Sequence, residues 1–370
     1  MIKILECTCE PILFGGQEMF IMNMLRNIHN ESFEINVLTP YHCENESYRR
    51  ELESRNSKLI CLETIFHPGG FRGGFYSSLK KYLKHNHYDI IHIHTGSVNA
   101  MTIAALAAKL AGVKRIIVHS HCTGVMSFTY RLSKLLGDLI IKKCATDYCA
   151  CSVEAAEWKF PKSVISDKLI VVNNGINLDV FSFKEDVRKE YRNRIGLNDN
   201  DFCIGNVGRF STQKNHKFLL KIFQNIKQKN PNSKLLLVGD GELRPEIEAQ
   251  IDLLGIKDSV IMTGEVTNVA DYMQAMDVFV FPSLWEGLGL VGVEAQATGL
   301  PVIASIEVPK TMDVTGTVKF LPLGKIDEWT DAVLHTREYV RTSKTDVIRD
   351  RGYDVSQLGD VITKLYLQND

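Results

Sequence analysis

Seven residues separate Glu286 from Glu294 in the run Phe281-Pro282-Ser283-Leu284-Trp285-Glu286-Gly287-Leu288-Gly289-Leu290-Val291-Gly292-Val293-Glu294. Glycines at 287 and 289 leave main-chain N–H groups uncovered where the positive end of a following helix emerges, which is a seat for a phosphate. At 1.5 Å rise per residue the two acids stand roughly 12 Å apart if the turn is nearly helical, about the reach from a nucleotide's ribose to a sugar beyond its diphosphate. Carboxylates so placed can hold hydroxyls at both ends without touching the phosphates. Arg209 and Lys214 supply the opposite charge in Gly208-Arg209-Phe210-Ser211-Thr212-Gln213-Lys214-Asn215. Two fixed cations can pair with a diphosphate and neutralise the charge that grows on it as it leaves. His119-Ser120-His121 offers imidazoles at a strand end. Singly, each of these has an ordinary explanation: a helix acid, a solvated loop cation, a structural histidine.

The elements that must position them read clearly. Val278–Phe281, closed by Pro282-Ser283, is a buried-strand run, and the apolar spacing from Leu290 to Ala297 is the helix after it. Arg209 and Lys214 follow the strand expected at Phe202–Val207, and the histidine doublet follows Arg115–Val118. Ile2 to Cys9 reads as a strand, Gly15-Gly16 as a turn and Gln17 to Ile28 as a helix. Further strands are expected at 33–38, 59–62, 90–94, 146–151 and 169–172, then at 234–238, 260–263, 301–304 and 319–321. Helices are expected at 78–84, 101–111, 130–143, 215–229, 244–254, 328–341 and 356–367. Such alternation argues for parallel sheets covered on both faces, in two Rossmann-like domains of α/β class whose ligands lie beyond the carboxyl ends of the strands, in a central cleft. The charged stretch Lys184 to Arg194 reads as a solvated connecting helix.

The acidic pair with its internal glycines resembles the signature of retaining GT-B glycosyltransferases of family 4 (glycosyl transferases group 1), and the Gly-Arg…Lys-Asn segment resembles that family's cationic motif. The resemblance covers essentially the whole chain. It implies that Glu286 contacts the donor sugar, that the amides of Gly287, Leu288, Gly289 and Leu290 take the diphosphate, and that Glu294 binds the ribose. Arg209 and Lys214 would contact the leaving phosphates, and Gly15-Gly16 would approach the donor phosphate and the acceptor. A family histidine near the acceptor side of the sugar falls on His121 by strand register, with His119 as second choice. Gly264-Glu265-Val266 falls where the family holds the base by main-chain contacts, Gly264 and Val266 among them; uracil and guanine both remain open. Asn173-Asn174-Gly175 resembles the segment that closes the first domain. The domains implied are 1–180, an acceptor-binding domain; 181–350, a nucleotide-sugar donor-binding domain; and 351–370, a terminal helix crossing back to the first. Val308-Pro309-Lys310 with Phe320-Leu321-Pro322-Leu323 resembles bacterial capsule and exopolysaccharide enzymes.

The activity implied is retaining transfer of a sugar from a nucleotide diphosphate donor, a UDP-sugar in the first instance, to a growing, lipid-linked glycan. It is metal-independent, needs no cofactor, and proceeds by same-face attack with the leaving phosphate taking the acceptor proton. Two other readings stand beside it: a GT-B sugar-nucleotide epimerase, which needs no acceptor, and a non-catalytic partner subunit of a glycosyltransferase.

Composition narrows the rest. The 370 residues suffice for two cores, and 45% hydrophobic with 24% charged residues describe a soluble globular chain. Net charge is +3 over residues 1–180 and −4 beyond, which does not suit nucleic-acid binding. No apolar run reaches ~18 residues and no signal pattern opens the chain, so a cytoplasmic location is expected. The nine cysteines form no C-x-x-C, and reduced thiols are expected. Asp199-Asn200-Asp201 fits a metal-binding D-x-D but opens a strand and reads as turn chemistry. His92 and His94 with His119 and His121 suggest a metal cluster, yet no carboxylate or cysteine joins them at ligand spacing. Basic residues around helices 78–84 (Lys80, Lys81, Lys84) and 130–143 (Arg131, Lys134, Lys142, Lys143) leave peripheral contact with the inner membrane open, although Leu135 to Ile140 reads better as core-facing.

Overall fold

The structure is a computed structural model that describes residues 1–12, 16–28, 31–43, 45–65, 73–121 and 128–368. Gly15 and the Arg131 side chain lie outside the described residues. The chain divides into two compact units, Met1–Gly175 with Val355–Asp370, and Ile176–Asp354.

The first unit holds a parallel sheet of β1 (Ile2–Thr8), β2 (Phe33–Thr39), β3 (Leu59–Cys61), β4 (Ile90–Thr95), β5 (Arg115–Ser120), β6 (Asp147–Ala150) and β7 (Leu169–Val171), in the order β3-β2-β1-β4-β5-β6-β7. Its strands are apolar runs because both faces are covered. Every residue of β4 and β5 is buried. On one face lies the helix Gly16–Asn27, against which the terminal helix Val355–Leu367 packs. Gly359 makes that approach possible, since a Cβ there would stand 1.9 Å from the Asn27 carbonyl oxygen. Leu358, Ile362, Leu365 and Tyr366 thereby join a core with Ile4, Phe20, Met24 and Ile117.

The second unit repeats the scheme with β8 (Phe202–Val207), β9 (Ser233–Val238), β10 (Val260–Met262), β11 (Val278–Phe281), β12 (Val302–Ser305) and β13 (Val318–Leu321), ordered β10-β9-β8-β11-β12-β13. This is the doubly wound order whose direction reverses at one point, here between β8 and β11. In the first unit the reversal lies between β1 and β4.

Three expectations need correction. The helix expected to reach Arg341 ends at His335, with a 3-10 turn at Thr336–Glu338. Arg341 instead turns inward, its guanidinium 4.2 Å from the Phe183 ring centroid and donating to the carbonyls of Thr298, Gln274 and Met276. The charged helix Glu185–Arg194 is not merely solvated: Arg192 is buried, and with Arg188 it clasps Asp277. Leu135, Leu136 and Leu139 do not face the core, being 64%, 58% and 59% exposed. Helix Phe128–Cys144 is seated instead through Gly137, where a Cβ would meet Thr102 and Val98 of the helix Val98–Ala111 at 2.9 Å, and through buried Ile141.

Candidate active site

In the second unit the reversal of strand order brings together the loops that follow β8 and β11. Main-chain and side-chain bonds stitch them. Leu284 N–H donates to the Gln213 carbonyl at 2.8 Å, Asn215 Nδ2 to the Pro282 carbonyl at 3.2 Å, and Gln213 Nε2 to the Trp285 carbonyl at 3.0 Å. Asn215 holds φ 55°, a left-handed turn that asparagine tolerates, between the short turn Thr212–Lys214 and helix His216–Lys229.

The result sets Lys214 on Glu286. Lys214 Nζ is 2.7 Å from Glu286 Oε1, while Gln213 Nε2 donates to Oε2 at 3.1 Å. Both charged side chains are nearly buried, at 15% and 8% exposure, and Lys214 Nζ also stands 5.0 Å from the Phe281 ring centroid. Gly208 leaves room for this lysine: a Cβ there would meet the Lys214 chain at 3.0 Å. Arg209 points elsewhere, 3.0 Å from Glu242 in an exposed pair. Such a pair contributes little and leaves the guanidinium free to change partners.

Gly289, at φ 78°, precedes the helix Leu290–Ala297, so the turn amides of 287–290 gather at a helix N-terminus. Glu294 lies within that helix, partly buried; burial pushes its carboxyl up to about 7, opposed by the positive field of Lys214. Gly264, at φ 70°, follows β10, and its carbonyl accepts from Gly239 N–H at 3.0 Å. Val266 is half-buried two residues on. Asp199-Asn200-Asp201 is a turn: the Asp201 carboxylate accepts from Asn198 N–H at 2.8 Å.

In the first unit the histidines form a set of their own. His94 and His119 are register partners on β4 and β5, and His92, His94, His119 and His121 lie on the sheet face that Phe20 and Tyr366 cover. His94 Nε2 is 2.7 Å from Glu6 Oε2, and His94 Nδ1 is 2.8 Å from His121 Nε2. His92 Nδ1 lies 2.7 Å from the Tyr366 hydroxyl, which donates to Glu6 Oε1 at 2.5 Å, and His92 Nε2 lies 3.1 Å from His119 Nδ1. Desolvation holds all four imidazoles below their ordinary value, His94 at about 3, and pushes the Glu6 carboxyl up to about 8. Nitrogens of His92, His94 and His119 lie within 4.8 Å of one another, and Glu6 is not part of that group, its oxygens being taken by His94 Nε2 and the Tyr366 hydroxyl. Most of these nitrogens are already spent on one another, on Tyr366 and on Glu6. Of the doublet, His119 is fully buried and His121 only partly. Gly16 opens helix Gly16–Asn27 after β1, with open space where a Cβ would stand.

The site residues thus fall into two sets, Arg209, Lys214, Glu286, Glu294 and the 287–290 turn on the second unit, and His119 and His121 on the first. Sequence reasoning missed Gln213, Glu6, His94's link to His121, and Tyr366. Glu6 did carry a signal, as a lone acid inside an apolar strand run.

The family model described as Glycosyltransferase Family 4 matches residues 14–180, and that described as Glycosyl transferases group 1 matches residues 187–319. A protein named as a glycosyltransferase, EpsF of Bacillus subtilis (strain 168), is 30% identical over 366 residues, 95% of this chain and 93% of its own. A UDP-Gal:alpha-D-GlcNAc-diphosphoundecaprenol alpha-1,3-galactosyltransferase of Escherichia coli is 29% identical over 316 residues, 82% of this chain and 79% of its own. Among solved structures, Anabaena Alr3699/HepE in complex with UDP and glucose matches with a TM-score of 0.79 at 18% identity over 100% of each chain. At that identity the likeness speaks for the fold alone.

Proposed function

This chain belongs to the glycosyltransferases of group 1 and family 4 and has the GT-B fold, and from that premise we propose that it moves a sugar from a UDP-sugar, with retention, to a lipid-linked polysaccharide precursor. The observation that carries the reading is the nearly buried Lys214–Glu286 pair beside the glycine turn of helix Leu290–Ala297. A buried pair is a poor stabiliser for its own sake, because desolvating both charges offsets their attraction. It is useful where an anion and a hydroxyl-bearing sugar will share it. In this proposal the donor diphosphate takes Lys214 and the turn amides, Arg209 leaves Glu242 for the same phosphates, Glu286 accepts from sugar hydroxyls and Glu294 from the ribose.

Same-face attack then needs no protein nucleophile. The acceptor oxygen bonds to the anomeric carbon as the bond to the diphosphate oxygen breaks, and that oxygen, its charge held by Lys214 and Arg209, receives the acceptor proton. The cations do the electrostatic work that a divalent ion does elsewhere, so the reaction proceeds without one. The first unit, with His121 and the segment of Gly15 and Gly16, serves the acceptor side. UDP is bound in the similar structure of Anabaena HepE, and a sugar on diphosphoundecaprenol is the acceptor named for the similar Escherichia coli galactosyltransferase; both support this reading.

The test is transfer from a panel of UDP-sugars to a synthetic polyprenyl-diphosphate-linked sugar, with the product's anomeric configuration read by NMR. Acceptor-dependent UDP release, an α product from an α donor and activity that survives chelator are expected. A β product would overturn retention, and release of UDP without acceptor, or donor isomerisation, would overturn transfer.

A membrane-facing role belongs to the same proposal. Among the described residues no helix is long and apolar enough to cross a bilayer. Exposed Leu135, Leu136 and Leu139, with Lys142 and Lys143 in the last turn of helix Phe128–Cys144, suit a surface that lies on anionic lipid.

A further inference from the structure

Four imidazoles, a carboxylate and a phenol sit together on one sheet face of the first unit, in the core formed by Ile4, Phe20, Met24 and Ile117. Nothing proposed for transfer uses Glu6, His94 or Tyr366. Their hydrogen bonds nevertheless determine where each proton lies.

With Glu6 ionised, its Oε1 accepts from the Tyr366 hydroxyl and its Oε2 accepts from His94 Nε2–H. His94 Nδ1 is then a lone pair, so it accepts from His121 Nε2–H, and His121 Nδ1 is left as a lone pair. On the other arm His92 Nδ1–H donates to the Tyr366 oxygen, His119 Nδ1–H donates to His92 Nε2, and His119 Nε2 is left bare. His121 Nδ1 and His119 Nε2 are the two ring nitrogens of the set that find no partner among the described residues. The geometry is consistent with one direction of donation along each arm. Adding one proton reverses the first arm. The proton binds His121 Nδ1, the His121 Nε2 proton passes to His94 Nδ1, and the His94 Nε2 proton passes to Glu6 Oε2. Every imidazole stays neutral, and His121 Nδ1 changes from acceptor to donor.

We infer that Glu6 and His94 are positioning residues for His121, the protonation of Glu6 deciding through His94 whether His121 presents a lone pair or an N–H to a substrate hydroxyl. The use of that choice rests on the reading of His121 as a substrate-facing group; the switch itself does not. Burial among apolar groups favours the neutral carboxyl, pushed up to about 8, so the N–H form prevails at neutral pH. The groups around Glu6 are all neutral there. They are Tyr366 from helix Val355–Leu367, His92 and His94 from β4, Cys149 from β6 and Tyr48 from helix Glu46–Ser54. Glu18, on helix Gly16–Asn27, acts on Tyr48, and the Arg115 guanidinium, paired with Asp147, acts on His92. His121 itself faces His94, His119 and Phe20.

Long-range proton–nitrogen NMR of protein labelled at the histidine nitrogens, without substrate, tests the switch apart from the activity. His94 and His121 should exchange which ring nitrogen is protonated in a single step as pH rises through about 8, with no charged imidazole appearing. Glu6→Gln is nearly isosteric: its amide donates to His94 Nε2 and its oxygen accepts from Tyr366, so His121 should stay in the Nδ1–H form at every pH. A His121 tautomer that ignores pH in the native protein, one that still switches in Glu6→Gln, or a stoichiometric metal ion on these imidazoles would each overturn the inference. For the use, the native rate should decline as pH rises through about 8, where His121 gives up its Nδ1–H; Glu6→Gln should keep the neutral-pH rate without that decline, while Glu6→Ala loses roughly tenfold. A pH–rate profile for Glu6→Gln that retains the native decline would reject a role in transfer while leaving the NMR result standing.

Discussion

Lys214 Nζ and Glu286 Oε1 stand 2.7 Å apart although their residues lie on loops from different strands, β8 and β11. The pair also explains why Gln213 matters, since its amide holds the other carboxylate oxygen and the Trp285 carbonyl at once. Lys214→Ala removes the cation proposed for the diphosphate and takes the 2.7 Å lysine contact from a carboxylate at 8% exposure. Turnover with a UDP-sugar should fall roughly 10²-fold or more, the scale of a lost charge-assisted contact. Calorimetric titration with UDP and steady-state rates check this, and unaltered values for both would remove Lys214 from the site.

Glu294 should give donor binding a pH dependence of its own. Its carboxyl is pushed up to about 7 by burial, and the ionised form accepts from the ribose hydroxyls on two charged oxygens, more strongly than the neutral acid does. Donor affinity should therefore weaken as pH falls through about 7, by up to roughly tenfold per pH unit below it. Glu294→Gln should bind UDP weakly and lose the slope. Titrations of UDP at three pH values decide the point: a slope that persists in the variant belongs to another group.

The strands were legible because parallel strands buried on both faces are continuous apolar runs, and among the described residues all thirteen fall within a residue or two of where those runs place them. The glycine turn and helix Leu290–Ala297 were legible for a similar reason, a local pattern with a local cause. What the sequence hid was contact between distant segments. Glu6 reaches His94 across 88 positions and Tyr366 across 360, so no spacing rule could pair them. Leu135, Leu136 and Leu139 carry an apolar helical pattern that fits a core as well as it fits an exposed face. Gly137 settles the matter, but a glycine in a helix does not say which neighbour it lets in.

Those leucines should anchor the protein to anionic lipid. Each can contribute about 1.5–3 kcal/mol if fully buried, and Lys142 and Lys143 about 1 kcal/mol each near an anionic surface. Flotation with phosphatidylglycerol-rich vesicles should recover the native protein at low salt and lose it at high salt. Leu135→Ser, Leu136→Ser and Leu139→Ser together should weaken binding roughly 10²-fold or more while leaving the fold intact, because these side chains are already in solvent. Equal recovery of the native protein and the triple variant would discard the surface.

Stability should peak in a narrow pH range because the buried cluster titrates in two opposed ways. Glu6 keeps its proton in the fold up to about 8, whereas the unfolded carboxyl loses it near 4.5, so the folded state binds the extra proton between those values and stability falls as pH rises through them. The four imidazoles are held below 6.5 in the fold, so below that pH the unfolded chain binds more protons and stability falls as pH drops. Four groups outweigh one, and the maximum should lie near 6.5. Urea unfolding should show on the order of 2 kcal/mol less stability at pH 9 than at pH 6.5 from Glu6. Glu6→Gln should abolish that alkaline loss and keep the acid one; an unchanged alkaline loss would assign it elsewhere.

Gly359 carries the packing of the terminal helix on helix Gly16–Asn27, and through it the placement of Tyr366 over His92 and Glu6. In an exposed helix a change from glycine to alanine would stabilise by up to about 1 kcal/mol. Here a Cβ would stand 1.9 Å from the Asn27 carbonyl oxygen, which is backbone and cannot swing aside. The two helices must separate, so Gly359→Ala should destabilise by about 1–3 kcal/mol, opposite in sign to the intrinsic helix preference. Because Tyr366 moves with the helix, the histidine tautomers should also lose their single-step exchange in this variant. A variant at least as stable as the native chain in urea unfolding would show that the helices do not pack through this glycine.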